Sequence, residues 1–176
     1  MKTSFAPWLL ALGILFPLSG IAAEQPAPEK KTPPPAMTFD IEQSVVKQPL
    51  AEDVTADDAI DAMNSKAAEL NMKIVAHQPL SKELQARGID SGRLEIFQFC
   101  NPEDAHKMVM FNPIFAAYMP CRIALVEDLE GKLWVMMLNL DMLINSTPLP
   151  QEIHDIALRV NDTLKQILDA AATGEF

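Results

Sequence analysis

Cys100, His106 and Cys121 are the side chains of this sequence best suited to chemistry. Thiolate and imidazole, together with thioether, are the donors that a soft ion such as Cu(I) selects. Six of the ten methionines fall between Met108 and Met142, with Met110 and Met119 nearest to these three residues. The same thiols offer two other chemistries. In an oxidising compartment a Cys100–Cys121 disulfide would contribute about 3 kcal/mol in the chain-entropy model. An activated thiolate would serve a redox or cofactor enzyme, and Cys100 precedes a helix start while Arg122 follows Cys121. Ordinary packing stands against all of these: methionine is an adaptable core filler, cysteine is often a small buried hydrophobe, and neither Met-x-x-Met nor Cys-x-x-Cys occurs.

Standard catalytic sets are missing. The sequence holds no Gly-x-Ser-x-Gly, no Gly-rich phosphate loop, no His-Glu-x-x-His and no Cys-x-x-Cys-His for covalent haem, so no cofactor is specified. Its three histidines, His77, His106 and His154, fall in different elements. A further polar set follows from reading Lys132 to Ile144 as one strand. Alternation then puts Trp134, Met136, Leu138, Leu140 and Met142 on a helix-facing side and Val135, Met137, Asn139 and Asp141 on the other. Arg122 would join Asn139 and Asp141 there, as an ordinary ion pair on a solvated face or as a polar floor for a ligand or a dimer contact.

The elements that must position these residues are legible in outline. Val45-Val46, within Thr38 to Val46, suggests a first strand. Thr55 and Asp58 open a helix as cap and third-position acid, and Ala59, Ile60, Met63, Ala67 and Leu70 continue it as an apolar stripe. Met72 to Ala76 reads as a short strand and Ser81 to Arg87 as a short helix stopped at Gly88. Leu94 to Cys100 is a strand by its aromatic and branched content. Asn101-Pro102-Glu103-Asp104 is a strong helix start, and that helix runs to about Phe111. Cys121 to Glu127 and Lys132 to Ile144 read as a hairpin across Asp128 to Gly131. After Pro148 and Pro150, a stripe from Ile153 through Val160 and Leu164 to Ala171 marks a long helix that must lie on the sheet. The expected fold is α+β: a mainly antiparallel sheet of four or five strands with helices on one face. If the strands bearing Cys100 and Cys121 pair, the two cysteines share one sheet end.

The chain has 176 residues, 49% apolar and 22% charged, which suits a single globular domain. Its formal charge of −10 offers no basic face for nucleic acid, and two cysteines exclude a disulfide-dense scaffold or a four-cysteine zinc site. Lys2, the apolar run Phe5 to Leu18 and the small residues of Ser19 to Ala23 read as a secretory signal peptide over residues 1–23, cut after Ala22 or Ala23. Export to the periplasm or beyond is therefore expected, with no stable membrane insertion after cleavage. Residues 24–36 carry five prolines and almost nothing to bury, so they read as an extended linker before a domain at 37–176.

The runs LEIFQFCNPEDAHKM, NPIFAAYMPCRIALVED and GKLWVMMLNLDMLI resemble the family known as domain of unknown function 302, over roughly Val45 to Ala171. The most specific pieces are Phe99-Cys100-Asn101-Pro102, Met119-Pro120-Cys121-Arg122 and Gly131-Lys132. The resemblance implies a small α+β domain that tends to form a homodimer, in a mostly bacterial and archaeal family. It implies no established activity, so no catalytic residue is carried over. The expected function is a non-catalytic exported module binding a small ligand, a soft metal or a partner protein through the Cys100, His106, Cys121 corner. The alternatives are a thiol- or cofactor-dependent redox protein and a purely structural dimeric module.

Overall fold

The computed structural model describes residues 40–175. The signal peptide and the linker expected over residues 1–36 lie outside these. A 3-10 turn, Ile41–Ser44, is capped by the Asp40 carboxylate, which accepts from the Glu42 amide at 3.0 Å. The elements that follow are β1 (Val45–Pro49), α1 (Ala56–Glu69), β2 (Lys73–Gln78), α2 (Leu80–Ala86), β3 (Leu94–Cys100) and α3 (Pro102–Phe111). A second 3-10 segment, Pro113–Tyr118, leads to β4 (Cys121–Glu127), β5 (Leu133–Leu138), α4 (Leu140–Ser146) and α5 (Gln151–Thr173). Among the described residues no helix is long and apolar enough to cross a membrane.

The five strands form one antiparallel sheet in the order β1-β5-β4-β3-β2. Because β1 and β2 occupy opposite edges, α1 must cross the sheet to join them. It packs there beside α5, and both bury their apolar stripes on one face. Phe97, Phe99, Ile123, Leu125, Val135 and Met137 rise from the strands to meet Ala59, Met63, Leu164, Ile167 and Leu168. Each of the larger side chains contributes about 1.5–3 kcal/mol by leaving water. This is the α+β arrangement expected, with five strands.

Local signals explain the element ends. The Thr55 hydroxyl accepts from the Asp58 amide at 3.2 Å, and the Asp58 carboxylate accepts from the Thr55 amide at 3.0 Å, a complete capping box. In the β4–β5 turn, Asp128 Oδ1 accepts from the amides of Glu130 and Lys132, both at 2.9 Å, while Gly131 takes a φ of +81°. At the end of α5, Gly174 has a φ of +70°, and a Cβ there would lie 2.9 Å from Val54 Cγ2. Only glycine fits both the left-handed conformation and the space.

The segment after β5 departs from expectation. Lys132 to Ile144 is not one strand: β5 stops at Leu138, and Asn139 turns the chain into α4. The Asn139 amide donates to Ser44 O at 2.7 Å and its Nδ2 to Gln43 O at 3.1 Å, which fastens the turn to the start of β1. Leu140, Leu143 and Ile144 satisfy helical spacing as readily as a strand pattern, so the sequence alone does not locate the break. The faces of β5 are also opposite to those expected. Val135 and Met137 enter the core beside Leu125 and Ile123, while Trp134, Met136 and Leu138 point the other way. Both sets are apolar, so alternation separates them without saying which is inside.

The polar set falls apart for the same reason. Arg122 is exposed on the outward face of β4, opposite Gln98. Asn139 follows β5 at the end of the sheet, with its side chain tied to Gln43 O. Asp141 lies on α4, where it accepts from Asn161 Nδ2 at 2.7 Å and Lys165 Nζ at 2.6 Å. No common polar floor joins them.

Candidate functional site

The end of β3 and the start of β4 meet at one edge of the core, and the chain between them does not cross back over the sheet directly. It forms α3 and the 3-10 segment, which stand away from the sheet and leave a cavity of about 470 Å³ between themselves, α4 and α5. That size is typical of a small-molecule site. Phe99, Cys100 and Cys121 form its sheet side, and Asp104, Ala105, Met108 and Phe111 its α3 side. Ile114, Phe115 and Tyr118 come from the 3-10 segment, Leu140, Leu143 and Ile144 from α4, and Ala157 and Val160 from α5. Phe111, Ile114 and Tyr118 also remain 48%, 61% and 54% exposed, so they form the mouth rather than the floor.

Local sequence builds this wall. Asn101 caps α3 by accepting from the amides of Glu103 at 3.0 Å and Asp104 at 3.2 Å, and its Nδ2 donates to Asn71 O at 3.3 Å. Asn112 ends α3 and caps the 3-10 segment, accepting from the Ile114 amide at 3.1 Å. The Thr147 hydroxyl donates to Leu143 O at 2.7 Å. These polar groups border the cavity but are occupied in capping, so the inner surface is mainly carbon and sulfur. Asp104 is the exception. Its Oδ1 accepts from Arg159 Nη2 at 2.6 Å, and its side chain is 14% exposed.

Cys100 and Cys121 border the same cavity, and both are free. The disulfide considered from their spacing is not formed, because the register opposes Cys121 to Phe99 while Cys100, one residue on, is opposed to Lys73. Neighbouring residues of a strand point to opposite faces, which separates the thiols although their backbones are adjacent. Burial pushes the Cys121 thiol up to about 11, helped by the proximity of Cys100 and opposed by Arg122. Burial raises the Cys100 thiol as well. Neither carries the lowered pKa of an activated nucleophile.

The metal set does not assemble. His106 is exposed and lines no part of the cavity, and among the described residues no three His, Cys, Asp or Glu side chains come together to hold a metal. The reason is helical phase. Ala105 faces inward, and His106, the next residue, is turned about 100° away. Met110 is likewise 70% exposed, whereas Met72, Met108 and Met119 line the cavity. The inward set Asp104, Ala105, Met108 and Phe111 has the spacing of one helix face, a signal present in the sequence but masked by the attraction of a histidine near two cysteines.

A second cluster lies at the other end of β3. Glu95, 1% exposed, sits between His77 Nε2 and Arg93 Nε, each 2.5 Å from a carboxylate oxygen, though the arginine is off the line a hydrogen bond needs. His77 stacks on Phe97 with ring centroids 4.2 Å apart, and Arg93 Nη2 reaches Asp57 Oδ1 at 2.6 Å. This buried carboxylate ties β2 and β3 to α1, and none of its members lines the cavity. Alternation with Phe97 and Phe99 is the sequence signal that puts Glu95 inside.

No curated protein matches the chain. Among solved structures, a crystal structure of an uncharacterized conserved protein DUF302 from Bacillus stearothermophilus superposes with a TM-score of 0.61. It shares 18% sequence identity, with 72% of this chain and 97% of that one covered, a likeness of fold. The family model described as domain of unknown function DUF302 matches residues 47–171, which take in the whole sheet apart from the first residues of β1, and all five helices apart from the last two residues of α5. The chain belongs to the DUF302 family.

Proposed function

We propose that this protein is an exported, non-catalytic module that binds a small apolar ligand in the cavity between α3, α4, α5 and the sheet end. The observation that carries this reading is the cavity of about 470 Å³ lined mainly by carbon and sulfur, with its capping polar groups already engaged. An apolar ligand of drug size gains from leaving water there, and the capping groups of the wall keep their partners. Export rests on the Lys2, apolar-run and small-residue order of residues 1–23. Intact mass of the secreted product tests it: a mature chain retaining Trp8 would contradict it.

The neutral fluorophore N-phenyl-1-naphthylamine is a direct probe of binding. Its emission should rise on titration into the protein, and Ala105→Trp, which fills the cavity from the α3 side, should abolish the rise without lowering the melting temperature. Emission unaffected by Ala105→Trp would place the probe elsewhere and remove the reading.

The face of the sheet away from α1 and α5 supports a homodimer. It carries Val45, Ala124, Val126, Trp134, Met136 and Leu138 across β1, β5 and β4, with Lys47 beside Met136 and over the Trp134 ring and Arg122 on the same face. A second copy covering it would remove that strip of apolar side chains from water.

A further inference from the structure

We infer that the ligand carries a positive charge beside its apolar body, and that Asp104 receives that charge. The inference rests on the cavity reading above and narrows it to a class, hydrophobic amines and related cations. The polar inventory of the wall is lopsided. Among the described residues no lysine, arginine or histidine lines the cavity, so none of them would neutralise a carboxylate, sulfate or phosphate head. The two thiols are held neutral by burial, leaving Asp104 as the one charged group of the lining among the described residues.

Asp104 has capacity to spare. Arg159 Nη2 occupies Oδ1, and among the described residues Oδ2 accepts no hydrogen bond. Arg159 itself is 54% exposed and lies outside the lining. Aromatic rings stand on the same wall: Phe111 and Phe115, with centroids 6.3 Å apart, and Tyr118. Ring faces attract cations and repel anions. The N-terminus of α3 opens nearby and would favour an anion, but Asn101 already takes the amides of Glu103 and Asp104, and both acids oppose the dipole. The net charge of −10 adds to the same preference at long range.

Three ligands with one ten-carbon chain separate the possibilities: decylamine, 1-decanol and decanoate, each below its micelle concentration at pH 7, displacing N-phenyl-1-naphthylamine from the mature protein. Decylamine should displace the probe at about tenfold lower concentration than decanoate, the scale of one charge-assisted contact, with decanol between them. Asp104→Asn should bring decylamine down to the level of decanol and leave decanol unchanged. Arg159→Gln, which frees the carboxylate and does not depend on the first variant folding, should strengthen decylamine several-fold and leave decanol unchanged. Decylamine no better than decanol in the unaltered protein, or a preference that Arg159→Gln fails to increase, would overturn the charge assignment while the cavity reading stands. Failure of N-phenyl-1-naphthylamine to bind at all would overturn the cavity reading itself, and this inference with it.

Discussion

Where β4 begins decides what Cys121 can do. Its backbone pairs with Phe99 at the edge of the core, and burial then holds the thiol protonated, pushed up to about 11 from 9.0. At pH 8 that leaves about a hundredfold less thiolate than an ordinary cysteine has, and the thiolate is the nucleophile. Iodoacetamide at pH 8 should therefore modify Cys121 far more slowly in the folded protein than in urea, as read by mass spectrometry of the peptides. Equal rates in the two states would mean an accessible, ionised thiol and would revive the redox alternative. At this scale the sequence brings the right neighbourhood into view but not the right members. Cys100, Cys121 and Met119 reach the cavity as their places at strand ends suggest, while His106 and Met110 miss it by one or two positions of helical phase.

Helix α4 is the element that sequence patterns misassign, and a polar fastening holds it. Asp141 binds Asn161 and Lys165 of α5 at 2.7 and 2.6 Å, and the Lys165 contact is the main reason its carboxyl titrates below 3.8. A carboxylate with a depressed pKa stabilises the fold above its unfolded value, and the contribution is lost as pH falls through the lower folded value. Asp141→Asn should thus cost stability at pH 7, at most about 1 kcal/mol for so exposed a pair, and nothing at a pH low enough to protonate the carboxyl in the folded protein. Urea unfolding of both proteins at the two pH values measures this, and a cost that persists unchanged at low pH would contradict it. The other elements were legible because each carries a boundary signal: the Thr55–Asp58 box, the Asn101-Pro102 start, the Asp128–Gly131 turn. Between Leu138 and Leu140 only Asn139 marks the change, and its partners, Gln43 and Ser44, are remote in sequence.

The described residues form a two-layer sheet and helix sandwich with two apolar features left over, the cavity at one end and the outward face of the sheet. Sequence pattern yields the layers, since five apolar segments and two long stripes admit few other packings. It does not yield the cavity, which exists because α3 and the following 3-10 segment stand off the sheet, a matter of three-dimensional path rather than of any one residue. Nor does it tell the inner from the outer face of β5. If the outward face is a dimer contact, light scattering should give the mass of two chains, and Met136→Glu, at the middle of that strip, should give one chain with the fold intact. A single-chain mass for the unaltered protein would exclude a stable dimer and leave the strip unexplained.

Methionine methyl resonances can report the central claim without any variant. Met72, Met108 and Met119 line the cavity, Met63 and Met137 are buried in the main core, and Met136 lies on the outward sheet face. With carbon-13 in the methionine methyl groups, N-phenyl-1-naphthylamine should shift the Met108 and Met119 resonances most, move Met72 less and leave Met136 in place. Saturable shifts centred on Met136, with Met108 and Met119 unmoved, would put binding on the sheet face and contradict the account.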